Sequence, residues 1–350
     1  MTAERPPVRL LLAGIGLIGR AHARRIVDRP ETALAGVVDP APGAAAAAAE
    51  FGAPCFADLA TAIDALRPDG VVLATPNQLH EAGAVLCLDK GVPVLVEKPV
   101  ADTFEAALRI VEAERRTGVP VLVGHHRRHG AAVRRAIEAV RGGIIGEPVA
   151  VSGLTLFLKP DDYFAAAWRT RPGAGPILLN LIHDIDLIRA IVGDIGEVQA
   201  ITSSARRGFA VEDTAAVVVR FANGALGTFV VSDAAVAPWS WEMTSGEAPV
   251  YPRQDEHCFH IAGTRGALTL PDLTLWRYGA RAGWWEPLDR ERLAIDPVDP
   301  LVEQIGHFAA VIRGEATPRL DAAEGTRTLA VVEAIARAAA SGARVAVPTV

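Results

Sequence analysis

Cysteine is scarce in this chain. Cys55, Cys87 and Cys258 are the only three in 350 residues, far apart and odd in number. That excludes a disulfide framework and any closely spaced thiolate metal site, and it suits a reducing cytosol. Long apolar runs are also missing: none reaches about 18 residues without a charge or a breaker, so no membrane-spanning helix is expected. Lysine and arginine form no block long enough to follow a nucleic-acid backbone, and the formal net charge is -6, so nucleic acid is not an expected partner. The opening Met1-Thr2-Ala3-Glu4-Arg5-Pro6-Pro7 lacks the apolar core of a signal peptide, and the expected location is cytoplasmic. There is no internal repeat. With 50% hydrophobic and 22% charged residues the chain is globular rather than disordered, and its length calls for two domains rather than one core.

What the sequence does contain is concentrated first in residues 8–39. An apolar run, Val8-Arg9-Leu10-Leu11-Leu12-Ala13, enters Gly14-Ile15-Gly16-Leu17-Ile18-Gly19; a helical run follows, and then Leu34-Ala35-Gly36-Val37-Val38-Asp39. A strand, a glycine turn, a helix and a second strand ending in an acid form the dinucleotide fingerprint in its full context. Gly14 permits the tight turn, Gly16 lets the backbone approach a pyrophosphate, and Gly19 lets the helix sit close to the strand. The helix amino end offers unpaired N–H groups and a positive dipole to phosphates. Asp39, about 20 residues past the last glycine, suits a ribose 2′-hydroxyl. Pro40, Ala41 and Pro42 bring no arginine for a 2′-phosphate, so NAD is expected over NADP.

Further short apolar runs (71–74, 94–96, 119–123) alternate with helical patterns at 44–50, 59–66, 80–89 and 104–117. Asp102 or Thr103 is the expected cap of the last of these. Alternating units of this length predict an α/β fold with a doubly wound parallel sheet of Rossmann type over residues 1–124. Ligands of such sheets lie beyond the carboxyl ends of the strands, which draws attention to Thr75, Pro76, Asn77, Glu97, Lys98 and residues 125–128. After 142–148 the pattern changes to longer, partly alternating strands, with hairpin signals at Asn223-Gly224 and at Gly263-Thr264-Arg265-Gly266. Helices are expected at 177–192, 301–313 and 322–340. Residues 125–350 therefore read as a C-terminal α+β domain with a large, mostly antiparallel open sheet, used for substrate binding and oligomerisation. One face of such a sheet must be covered, so a homodimer or homotetramer is expected.

Three stretches can carry chemistry. Glu97-Lys98-Pro99 ends a buried strand and holds Lys98 at the sheet's ligand edge, where an ammonium can stabilise a substrate oxygen; the alternative is an ion pair between Glu97 and an arginine, with Lys98 solvated. Asn180, His183 and Asp186 are spaced by three and share one helical face. His183 is suited to proton transfer near neutral pH, oriented by Asn180 or Asp186, unless it is simply a buried histidine satisfied by Asp186. A metal at His183 and Asp186 would need a third ligand that the sequence does not place, so no metal is expected. His125-His126-Arg127-Arg128-His129 combines histidines with Arg127, Arg128, Arg134 and Arg135, a positive field that suits phosphate or carboxylate better than a cation. Arg127 and His126 are thus expected at cofactor and substrate. Thr75-Pro76-Asn77 and His80 either line the cofactor or cap a helix. Trp168-Arg169 lies ahead of Gly173-Ala174-Gly175-Pro176, with Arg169 able to reach a cofactor. Tyr163, Trp239, Trp241 and Glu242 suit a polyol by stacking and hydrogen bonding, or else pack in the core.

Taken together, Gly14 to Gly19, Ala74-Thr75-Pro76 with His80, Glu97-Lys98-Pro99, Trp168-Arg169, His183-Asp184-Ile185-Asp186 and the closing patterns at 304–314 and 321–331 resemble the Gfo/Idh/MocA family, which includes glucose–fructose oxidoreductase and inositol dehydrogenase. The likeness spans nearly the whole chain. It implies NAD or NADP binding and reversible oxidation of a secondary hydroxyl on a sugar or cyclitol. It implies that Lys98 contacts the reacting oxygen and that His183 is the general acid/base. One departure stands out: well-known members carry an aspartate four residues before that histidine, where this chain has Leu179, and Asn180 is the nearest polar residue. Two other activities fit the same resemblance: an NAD-dependent glycosidase, and an NAD-sensing protein without chemistry.

Overall fold

The computed structural model describes residues 5–350, so the first four residues of the stretch read for a signal peptide lie outside it. The chain divides into two units, one comprising the residues up to 126 with 300–329 and Val350, the other 127–299 with 330–349.

Over the described residues the first unit builds a parallel sheet from β1 (Val8–Ala13), β2 (Thr32–Val38), β3 (Cys55–Phe56), β4 (Gly70–Leu73), β5 (Val94–Glu97) and β6 (Val121–Gly124), in the order β3-β2-β1-β4-β5-β6. Helices α1 (Leu17–Val27), α2 (Ala44–Ala49), α3 (Leu59–Leu66), α4 (His80–Asp89) and α5 (Phe104–Thr117) connect them. The strands are apolar throughout because both faces are covered. Leu10, Leu12, Val72, Leu95 and Leu122 pack on one side with Ala23 and Ile26. Leu11, Val71, Val94, Val96 and Val121 pack on the other with Ile63, Leu88 and Ile110. Thr103 is the cap of α5, its hydroxyl accepting from the Ala106 N–H at 3.2 Å. The strand order reverses between β1 and β4, which opens a crevice at their carboxyl ends.

The second unit contains α6 (Ala131–Arg141), β7 (Pro148–Leu156), α7 (Ile182–Val192), β8 (Ile195–Ser203), β9 (Thr214–Phe221), β10 (Leu226–Ser232), α8 (Trp241–Thr244), β11 (Phe259–Gly263), β12 (Ala267–Leu270), β13 (Thr274–Tyr278) and β14 (Leu288–Arg292). With β15 (Val345–Ala346) they form one sheet in the order β14-β13-β12-β11-β7-β10-β9-β8-β15, antiparallel at every pairing except β7 with β10. Both expected hairpins form, β9–β10 around Gly224 (φ 90°) and β11–β12 with the Gly263 N–H bonded to the Gly266 carbonyl at 2.8 Å. Along β9 the alternate residues Ala215, Val217, Val219 and Phe221 are buried beneath α6 and α7, whereas Ala216, Val218 and Arg220 are exposed. The exposed face also presents Ile201 and Leu226.

Two expectations need correction. Residues 300–329, expected in the C-terminal domain, pack with the first unit. Helix α9 (Pro300–Ile312) buries Ile305 and Phe308 in the layer that holds α1. A Cβ on Gly70 would stand 2.5 Å from the Ile312 side chain, so helix and sheet meet too closely for any larger residue there. Helix α10 (Ala322–Ser341) then places Leu329 in the first core and Val331 and Ile335 in the second. The second correction concerns 177–192, which is not one regular helix. Ile177–Leu181 is a π-helical turn, and only α7 is α-helical. A π turn inserts extra backbone and shifts the faces on either side of it, so the i, i+3 relation of Asn180 to His183 read from the sequence does not hold.

Gly153 on β7 is packed between two rings of the second core: a Cβ there would lie 2.6 Å from the Phe229 ring and 2.7 Å from that of Phe259. Gly153→Ala is expected to cost about 1–3 kcal/mol through overpacking, measured as a lower midpoint in denaturant; an unchanged midpoint would show that the two rings move apart freely.

Candidate functional site

In the first unit the glycine turn is built by backbone contact. Gly14 has φ 90°, and a Cβ on it would lie 2.4 Å from the Ala74 carbonyl oxygen. A Cβ on Gly19 would lie 2.0 Å from the Gly14 carbonyl oxygen, so α1 is pressed onto the turn. Gly16 differs, because among the described residues nothing stands within 4 Å of its Cβ position. It is the N-cap of α1 and supplies no side-chain cap, which leaves the first helical N–H groups open to a ligand. Ile15 is buried beneath the turn, while Leu17 is exposed and Ile18 half-buried. Asp39 follows β2; its Oδ2 accepts from the Ile15 N–H at 2.9 Å and its Oδ1 from the Ala41 N–H at 2.9 Å. A carboxylate has about four acceptor sites, so two remain for ribose hydroxyls. Open space before a bare helix end, flanked by a fixed acid, fits a dinucleotide.

At the neighbouring strand ends, Glu97 is fully buried. Its Oε1 lies 2.7 Å from His22 Nε2, and its Oε2 accepts from the Lys98 N–H at 3.1 Å. Its partner is thus a histidine and not the arginine considered from the sequence. Burial pushes the Glu97 pKa up, but the His22 hydrogen bond, with the charges of His22, His126 and Lys98, outweighs it and holds the group below the usual glutamate range. Gly124 faces this carboxylate, and a Cβ there would meet Oε1 at 2.9 Å. Lys98 therefore leaves the strand from a backbone fixed by an ionised anchor. His80 ties the adjacent loops together, with Nδ1 2.8 Å from the Pro99 oxygen and Nε2 2.9 Å from the Thr75 oxygen. Burial lowers its pKa despite those two carbonyls. The buried Thr75 hydroxyl has no hydrogen-bond partner among the described residues, and a ligand at this edge would supply one.

The second unit has its own polar core. Arg127 is 4% exposed; one terminal nitrogen donates to Asp184 Oδ1 at 2.6 Å, the other to Glu242 Oε1 at 2.7 Å, and the guanidinium lies 5.6 Å from the centre of the Trp241 ring. Burial pushes the Asp184 pKa up to about 6, with Arg127 opposing and Glu242 reinforcing the shift. Thr155 donates a further hydrogen bond to Asp184. Arg128 holds Asp186 through two parallel bonds of 2.8 Å. The positive field expected of Arg127 and Arg128 is therefore matched by three buried or half-buried acids. Arg127, expected at the cofactor, is spent on the core, and of the two readings open for Trp241 and Glu242, polyol or core, the structure gives the core.

Beside α7, Tyr163 is half-buried, with the Arg169 guanidinium 4.0 Å from its ring centre on a bond to the Tyr163 carbonyl of 2.6 Å. Trp168 is exposed. Lys159, which the sequence reading did not single out, is 7% exposed. Its ammonium donates to Asn180 Oδ1 at 2.9 Å, lies 3.4 Å from Asp233 Oδ2 and stands 4.8 Å from the Tyr163 ring centre. Burial lowers its pKa, and Asp233 opposes that. His183 is buried on α7.

Residues 8–125 match a family model described as "Oxidoreductase family, NAD-binding Rossmann fold", and residues 133–269 match the "GFO/IDH/MocA C-terminal domain". The 1,5-anhydro-D-fructose reductase of Ensifer adhaerens is 30% identical over 277 residues, which is 78% of this chain and 78% of the relative. The chain belongs to the GFO/IDH/MocA oxidoreductase family. An inositol 2-dehydrogenase of Rubrobacter xylanophilus is 29% identical over 95% of this chain and 91% of its own. Among solved structures, the WlbA dehydrogenase from Bordetella pertussis, in complex with NADH and UDP-GlcNAcA, superposes with a TM-score of 0.78 at 28% identity over 98% of this chain and 100% of that one.

Within this GFO/IDH/MocA chain the first unit groups Gly14 to Gly19, Asp39, Thr75, His80, Glu97 and Lys98 along one sheet edge. The second unit groups Lys159, Tyr163, Arg169 and Asn180. His22 and Lys159 escaped the sequence reading. Lys159 had a readable signal, because Lys159-Pro160 leaves an apolar strand as Lys98-Pro99 does. His22 had none, being one polar residue inside an ordinary helix.

Two tests follow from this geometry. Gly19→Ala should cost about 2–4 kcal/mol, since backbone must move, whereas Gly16→Ala should leave thermal stability unchanged and weaken NADH binding about tenfold or more; equal effects of the two on stability would refute the distinction. Arg127→Met strands two carboxylates and should destabilise by about 3–5 kcal/mol, read from denaturant unfolding; a loss under about 1 kcal/mol would show that the network contributes little.

Proposed function

We propose that this family member is an NAD-dependent dehydrogenase that oxidises a secondary hydroxyl of a sugar-like alcohol, or reduces the matching ketone. The observation that carries the proposal is the Lys98 anchor. An ionised, fully buried Glu97 fixes the backbone of a lysine at the ligand edge of a sheet whose glycine turn fits a dinucleotide. The relatives named above, a reductase of an anhydro sugar and a dehydrogenase of a cyclitol, support a polyhydroxylated substrate. Asp39 supports NAD over NADP. It accepts from the turn's Ile15 N–H and from the Ala41 N–H, and a 2′-phosphate there would meet a carboxylate with no arginine at 40–42.

Gly14 to Gly19, Asp39 and Thr75 would hold the dinucleotide, which when bound supplies the nicotinamide that accepts the hydride. Lys98 hydrogen-bonds the reacting oxygen and stabilises the charge that grows on it. His183 takes the hydroxyl proton in oxidation and returns it in reduction. His126, Tyr163 and Asn180 line the substrate.

A screen of aldoses, anhydro sugars and cyclitols with NAD and NADP, read at the reduced-nicotinamide absorbance, identifies the substrate. With it in hand, Lys98→Ala and His183→Ala should each lower kcat/KM by about 10²- to 10⁴-fold. Near-normal turnover in both folded variants would sink the proposal.

A further inference from the structure

Only three of the 35 basic residues are lysines: Lys90, Lys98 and Lys159. Lys90 pairs at the surface with Asp64, and Lys98 belongs to the proposed reaction. Lys159 is buried, and everything about it is fixed. Its N–H bonds to the Asp233 carbonyl at 2.9 Å, its own carbonyl accepts from Arg207 at 2.8 Å, and its ammonium faces Asn180, Asp233 and the Tyr163 ring. Asp233 is held in turn by Arg207 Nε at 3.0 Å. An ammonium has donors and no acceptor. The Asn180 atom 2.9 Å from it must therefore be Oδ1, because a flipped amide would set NH₂ against NH₃⁺. Asn180 then presents its two Nδ2 hydrogens away from Lys159, three residues before His183 in the chain.

We infer that Lys159 is a positioning residue that makes Asn180 a one-way hydrogen-bond donor, so that the substrate atom against Asn180 must be an acceptor oxygen. This rests on the substrate reading given above. Lys159, Arg169 and Arg207 face Asp233, Glu212 and Asp161, and Glu242 acts on Lys159 as well, so the site carries no excess positive charge and does not call for an anion. A neutral acceptor fits instead: the ring-ether or keto oxygen of a cyclic sugar. A cyclitol has carbon at the ring position. That carbon cannot accept the amide hydrogen bond, so a donor aimed at the ring position is left unpaired by a cyclitol.

The test compares wild type with Asn180→Asp, which keeps the shape and the Lys159 bond but replaces the outward N–H by an acceptor. With a pyranose or anhydro sugar as substrate, KM should rise about tenfold or more while kcat stays within a few-fold, and NADH binding, read by fluorescence, should not change. Lys159→Gln frees the amide to flip and should raise KM less. An unchanged or lower KM in Asn180→Asp overturns the inference. So does a wild-type preference for cyclitols over the matching pyranoses. A second readout needs no turnover: the ¹⁵N side-chain amide pair of Asn180, identified by its loss in Asn180→Asp, should shift in Lys159→Gln. An unmoved pair overturns the inference. A moved pair in a chain that binds NADH but oxidises no sugar or cyclitol would keep the fixed amide and remove the dehydrogenase reading instead.

Discussion

The carbonyl oxygen of Gly14 sits where a side chain on residue 19 would have to begin, 2.0 Å from that Cβ position. The first unit is arranged around this contact. It pulls the start of α1 onto the exit of β1, so the helix's first N–H groups open over Gly16 instead of over solvent at large. It also brings both neighbours of β1 into play. From β2, Asp39 reaches the Ile15 N–H; beyond β4, the Ala74 carbonyl fills the space that a side chain on Gly14 would need. The turn, the acid and the Thr75 loop converge because β1 lies where the strand order reverses. A residue with a Cβ at 14 or 19 would push these pieces apart together, whereas one at 16 would meet only a ligand.

Buried charge is handled in two ways, and the difference follows from partners. Glu97 has two donors close by and positive or titratable neighbours on several sides, so it stays ionised in spite of burial. Asp184 has Arg127 and Thr155, but the second acid on Arg127, Glu242, repels it, and burial then carries its pKa to about 6. The first arrangement gives a firm negative anchor to the residue before Pro99. The second locks the turn at 127–129 to α7 and leaves no spare positive charge for a ligand.

Much of this was legible in the sequence. The parallel sheet, its glycine turn and the open antiparallel sheet follow from apolar runs, period-two alternation and turn residues, all of which act locally. What was not legible depended on long-range partners. Nothing in residues 127 and 128 says that they will meet acids some 57 and 58 positions later, so their charge read as free when it was spent. The packing of α9 on the first unit was hidden because its apolar spacing fits any layer, and only the missing side chain at Gly70 says which one. The π turn at Ile177–Leu181 was hidden because the stretch has good helical spacing. Its departure from α geometry accompanies Asn180, the residue with the most specific partner there.

Lys98 and Lys159 occupy the same local setting, the last position of an apolar strand exit before a proline. Proline restrains the preceding residue to extended backbone, so the lysine's direction of exit is set before its side chain finds any partner. At Lys98 the acid that steadies the exit is the residue before it, and it binds the lysine's backbone N–H. At Lys159 the acid comes from Asp233, far along the chain, and sits near the ammonium itself. The first layout steadies the lysine through its backbone. The second consumes the charge and passes on only its polarity, through an amide that can then face one way. A single sequence signal, lysine before proline at a strand end, thus yields two different devices, and the position of the nearest carboxylate decides which.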